Sequence, residues 1–134
     1  PGASQNVTVT FAPAAAQSYG GSLSVASNAS GGASTLAVSG TGVPAAPVIT
    51  SALSANGSSG SAFSYQITAS GSPTSFGASD LPSGLSVNTT TGLINGTPAA
   101  VGNFTVTLSA TNSGGIGNAT LALAIILFLA LIIA

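Results

Sequence analysis

From Asn103 to Ala110 the chain alternates polar and apolar side chains without a break, placing Phe104, Val106, Leu108 and Ala110 on one side. A period of two marks a half-buried β-strand, because successive side chains of an extended chain point to opposite faces. The same alternation recurs with Val7, Val9 and Phe11 in residues 5–11, Leu23 and Val25 in residues 22–26, and Leu36 and Val38 in residues 35–39. It returns with Phe63, Tyr65 and Ile67 in residues 62–68. Val48-Ile49-Thr50 opens a new unit, short segments between turns follow at 75–78 and 85–87, a further short strand lies within 91–98, and another is predicted at 118–123.

Turn formers punctuate these runs. Ser27-Asn28-Ala29-Ser30-Gly31-Gly32 separates the second and third strands, and Asn112-Ser113-Gly114-Gly115 separates 103–110 from 118–123, so both pairs read as antiparallel hairpins. Gly71-Ser72-Pro73-Thr74 and Leu81-Pro82-Ser83-Gly84 supply further turns, and Pro13 ends the first strand. No window before residue 121 has a 3.6-residue period, and Gly, Ser, Thr and Asn disfavour helix. The body is predicted all-β, with many short strands between turns as in a β-sandwich.

Residues 40–47 combine two glycines with Pro44 and Pro47, the composition of a junction. The predicted organisation is a partial domain at 1–43, a linker at 44–47, a sandwich at 48–123 and a hydrophobic segment at 124–134.

Charge changes the picture most. Among 134 residues there is no Lys, Arg, His, Glu or Cys, and Asp80 is the only charged side chain. A nucleic-acid surface needs cations to neutralise phosphates, so that class is excluded. Acid–base and nucleophilic catalysis need a base, and only one carboxylate is present, so no enzyme activity and no catalytic residue are expected. A transition-metal site has no ligand cluster, and no cofactor or small-molecule substrate is implied. Without cysteine the fold must stand on its apolar core and backbone ladders. Near-zero net charge promotes association, so neighbouring protein subunits are expected to cover much of the surface.

Several segments carry a family resemblance. Pro47-Val48-Ile49-Thr50-Ser51, residues 63–69, Leu81-Pro82-Ser83-Gly84-Leu85-Ser86-Val87, Thr91-Gly92-Leu93-Ile94-Asn95-Gly96-Thr97-Pro98 and Ser109-Ala110-Thr111-Asn112 together resemble the bacterial He-PIG immunoglobulin domain, a cadherin-like sandwich, over residues 47–125. Residues 5–43 resemble more briefly the second half of an ASPM/SPD-2/Hydin-type module, in Val7-Thr8-Val9-Thr10-Phe11-Ala12-Pro13 and Leu36-Ala37-Val38-Ser39-Gly40-Thr41-Gly42. That second likeness implies that the chain starts inside a domain. Both families imply spacers, adhesin stalks or complex-bound ectodomains, and neither has a family-wide catalytic residue to carry over.

Residues 121–134 are uninterruptedly apolar. As a helix they would be about 21 Å long, against a bilayer core of about 30 Å. The resemblance assigns 121–125 to the last strand, which shortens the segment further. It is nevertheless expected to enter a membrane as a truncated transmembrane segment, with Ile126, Leu127, Phe128, Leu129, Leu131, Ile132 and Ile133 contacting lipid.

Four other features carry bland readings. Asn6, Asn28, Asn56, Asn88, Asn95, Asn103 and Asn118 each begin an Asn-X-Ser/Thr triplet, the glycan-acceptor pattern of a eukaryotic secretory pathway, which reads here as the Ser/Thr richness of a bacterial chain. Asp80 before Leu81-Pro82 reads as a turn residue rather than a calcium ligand. Tyr65 falls in phase with the core, and Tyr19 beside Gly20-Gly21 reads as a turn or edge residue. The three Gly-Gly pairs read as hairpin connections, since no Lys or helix follows to make a phosphate loop.

The expected whole is an all-β protein of immunoglobulin-like β-sandwich type with a short C-terminal hydrophobic, transmembrane segment. Its expected role is a non-catalytic scaffold on the periplasmic or extracellular side of a bacterial membrane. An accessory subunit of an energy-converting or photosynthetic assembly would fit. An adhesin or fibre module, and a spacer beside a glycosidase domain, are the rivals.

Overall fold

The computed structural model describes residues 8–10, 17–25 and 34–127. The described residues are all-β, in an immunoglobulin-like arrangement. The chain divides into two units, Pro1–Pro44 and Ala45–Ala134.

The described residues of the first unit form an antiparallel hairpin, β1 (Ser18–Val25) and β2 (Ser34–Thr41), in continuous register from Ser18 opposite Thr41 to Val25 opposite Ser34. Gly20 and Gly21 sit inside β1, opposite Ser39 and Val38, and are strand residues rather than a connection. The strand expected over residues 5–11 is not formed at Thr8–Thr10, and its other residues lie outside the described residues.

The described residues of the second unit form seven strands: β3 (Ser54–Ser58), β4 (Phe63–Gln66), β5 (Ser75–Ser79), β6 (Leu85–Val87), β7 (Leu93–Gly96), β8 (Gly102–Asn112) and β9 (Gly115–Ile126). They form two sheets, β3-β9-β8-β5 and β4-β7-β6. The strands pair antiparallel except for β3, which runs parallel to the end of β9, with Ser54 opposite Ala122 and Ser58 opposite Ile126.

The core lies between the sheets. Alternation along β8 and β9 turns Val106, Leu108, Leu121, Leu123 and Ile125 inward, against Phe63, Ile67 and Ile94 of the other layer. Each such side chain is almost completely buried and contributes about 1.5–3 kcal/mol of transfer free energy. Outward positions of β8 carry Asn103, Thr105, Thr107 and Ser109, which is what a sheet with one solvated face requires.

The parallel strand β3 departs from the sequence reading. Ser54-Ala55-Asn56-Gly57-Ser58 has a turn composition, yet it pairs along β9 because an edge strand needs few apolar side chains. Its Gly57 is fitted to the core, since a Cβ there would lie 2.9 Å from both Ile125 Cδ1 and the Phe63 ring. Near the start of the second unit, Ile49 forms an isolated bridge with Ala69.

Candidate interaction surface

The hairpin of the first unit presents the clearest apolar face. Register places Tyr19, Gly21, Leu23 and Val25 of β1 opposite Gly40, Val38, Leu36 and Ser34 of β2, so the large side chains share one side. Leu36 and Val25 are 62% and 54% exposed, and Val38 is also exposed. A groove of about 390 Å³ runs over this hairpin, lined by Val9, Tyr19, Gly21, Val38 and Gly40 among others. An exposed apolar face of this kind gains from being covered.

The sandwich offers a different surface. The outward side of β8 and β9 is a field of Thr, Ser, Asn and Ala with an exposed isoleucine near each end of β9, Ile116 and Ile126, and with no charged side chain. Its edge strands β3 and β5 carry no Lys, Arg or Pro, the residues that usually discourage strand addition.

At the C-terminal end, β9 continues through Ile126, three residues past the boundary at 123 drawn from the sequence. Ile125 is core, while Ile126 and Leu127 are each 62% exposed. Phe128, Leu129, Leu131, Ile132 and Ile133 lie outside the described residues. Among the described residues no helix is long and apolar enough to cross a membrane.

Of the candidate polar residues, Asp80 adopts a left-handed conformation with φ of 62° at the end of β5 and accepts a hydrogen bond from the Ser79 hydroxyl at 3.0 Å. Among the described residues no group of three or more His, Cys, Asp or Glu comes together. Tyr65 packs against the core, and its hydroxyl donates to the Ala52 carbonyl at 2.6 Å, tying the β4 side to the segment before β3.

Two asparagines have roles that the sequence did not announce. Asn112 is buried, and its Nδ2 donates to the Ala45 and Gly71 carbonyls at 2.8 and 2.7 Å. Its Oδ1 accepts the Gly114 N–H at 2.7 Å, closing the β8–β9 hairpin. Asn88 is exposed, and its Oδ1 accepts the Thr90 and Thr91 N–H groups, both at 3.0 Å, setting the turn between β6 and β7. The only sequence signal for either was an Asn at a turn.

The family motifs also meet in space. The turn at Leu81-Pro82-Ser83-Gly84 lies against Gly96-Thr97-Pro98, with the Thr97 N–H donating to the Gly84 carbonyl at 3.0 Å and the Ala99 N–H to the Ser83 carbonyl at 3.0 Å. Comparison with known families matches residues 46–125 to He_PIG, described as "Putative Ig domain". The chain belongs to this family. Its He-PIG domain takes in both strand layers of the second unit, and the match begins after the β1–β2 hairpin.

Among solved structures, a putative alpha-galactosidase from Bacteroides fragilis is 33% identical with a TM-score of 0.57, over 60% of this chain and 18% of that one. A putative alpha-galactosidase/melibiase from the same organism is 28% identical with a TM-score of 0.57, again over 60% and 18%. Titin domain M7 is 17% identical with a TM-score of 0.45, over 66% of this chain and 99% of that one. The chain therefore spans less than a fifth of either galactosidase. No curated protein matches it. He-PIG domains are typically non-catalytic, and their immunoglobulin-like fold suits a structural or interaction role.

Proposed function

We propose that this chain is a non-catalytic scaffolding ectodomain, attached to a membrane with its sandwich on the periplasmic or extracellular side, and an accessory subunit of a larger bacterial membrane complex. The observation that carries this reading is the exposed apolar face of β1–β2, with Leu23, Val25, Leu36 and Val38 on one side of a two-stranded ribbon. A chain with one charged side chain has no electrostatic barrier to lying against neighbouring subunits. Attachment is supported by the apolar run 121–134: β9 uses its inward residues up to Ile125 for the core and leaves Ile126 and Leu127 exposed.

A photo-crosslinking residue at position 36, compared with one at Thr105 on the outer face of β8, tests the reading in the intact protein in its own membranes. Specific adducts to one partner subunit at position 36 are expected. Equal, diffuse labelling at both positions would count against it.

An adhesin or fibre module is the second reading, and the unguarded edges of β3 and β5 favour it, because an extended segment of another chain can add to such an edge. Regular end-to-end polymers of the purified protein would select this reading over the first. The galactosidase similarities support a third use of the same module, as a spacer joined to a glycosidase domain.

A further inference from the structure

Seven of the eight asparagines begin an Asn-X-Ser/Thr triplet, and the exception is Asn112, the one that is buried among the described residues. With 22 Ser and 15 Thr among 134 residues, chance would place about two asparagines in such triplets. Strand alternation raises that figure, since residues two apart share a face and outward positions here are mostly small and polar. Asn56, Asn95, Asn103 and Asn118 lie in strands and are accounted for in this way. Asn88 is not, because it follows β6 and opens the turn into β7.

The Asn88 side chain is exposed, and its geometry favours reaction at nitrogen. Two backbone N–H groups, from Thr90 and Thr91, hydrogen-bond to Oδ1. They draw electron density from the carboxamide and make the Nδ2 protons more acidic. Nδ2 itself donates to no group among the described residues. Thr90 supplies the hydroxyl of the triplet.

We propose that Asn88 is an N-glycan acceptor. The co-reactant is an oligosaccharide carried on a lipid pyrophosphate. Asn88 Nδ2 forms a bond to the anomeric carbon, and the bond from that carbon to the pyrophosphate oxygen breaks. The lipid pyrophosphate leaves with the electron pair, and the Nδ2 proton passes to a base of the transferring enzyme. A sugar here supplies hydration that a surface with one charged side chain lacks. The proposal rests on the reading that the sandwich is exported, since such transfer occurs outside the cytosol.

The test is the mass of the protein purified from the cells that naturally make it, measured intact and as the chymotryptic peptide containing residue 88, since there is no Lys or Arg for trypsin. Thr90→Val, made in the same cells, keeps the Asn88 oxygen for the turn and destroys the triplet. Asn88→Asp does the same by removing the nitrogen. The expected result is a residue-88 peptide heavier by an oligosaccharide in the wild type and at its polypeptide mass in both variants. A wild-type peptide at its polypeptide mass, or a modified peptide that persists in Thr90→Val, would overturn the proposal. External protease distinguishes the two readings: an unmodified chain digested from outside the cell leaves export standing and removes the glycan alone.

Discussion

The Thr97 N–H donates to the Gly84 carbonyl at 3.0 Å, and the two backbones are so close that a Cβ on Gly84 would collide with the Thr97 carbonyl oxygen. The relation is mutual, because a Cβ on Gly96 would collide with the Gly84 oxygen. Both glycines have positive φ, 92° and 138°. Leu-Pro-Ser-Gly-Leu and Gly-Leu-Ile-Asn-Gly-Thr-Pro are thus two halves of one backbone contact, and they mark a fold rather than a reaction.

Gly84→Ala therefore meets both an unfavourable φ and a backbone clash, and is expected to destabilise the domain by about 2–5 kcal/mol. Urea unfolding of the variant should show a lowered midpoint with an unchanged slope. Ser83→Ala, one residue away and exposed, is the control and should change little.

Asn112→Ala leaves the Ala45 and Gly71 carbonyls without their side-chain donor and frees the hairpin closed through Gly114. The expected cost is about 1–3 kcal/mol, read by the same unfolding measurement. Hydrogen exchange should rise at Gly114, whose N–H loses its acceptor.

Leu108→Ala removes a side chain that is fully buried between the sheets. A loss of about 2–5 kcal/mol is expected, with no disulfide to offset it. Leu36→Ser, on the exposed face of β2, should leave the unfolding of the sandwich unchanged while weakening association with partner subunits.

These contrasts show what the sequence made legible. The β8–β9 hairpin was readable because its alternation is unbroken and its loop residues are turn formers. The two-residue connection, Ser113-Gly114, follows from the pairing of Asn112 with Gly115. Strand β3 was not readable, because Ser-Ala-Asn-Gly-Ser has the local preferences of a turn and is held in place by pairing with β9. Gly20-Gly21 failed for the same reason, with the ladder to Val38 and Ser39 outweighing local preference. For the candidate surface, alternation put Leu23 with Val25 and Leu36 with Val38. Only register showed that the two pairs form one face. The role of Asn112 was not readable, because its burial and its bonds to Ala45 and Gly71 arise from the tertiary fold, whereas the Asn88 bonds to Thr90 and Thr91 are the local turn habit of asparagine.

The size of the native particle tests the central claim most directly. The full-length protein extracted from its own membranes in mild detergent is predicted to travel in a complex much larger than one chain, and Leu36→Ser together with Val38→Ser should release it while leaving the sandwich folded. A wild-type protein that runs at the mass of a single chain in detergent-free buffer, unaffected by these substitutions, would contradict the account.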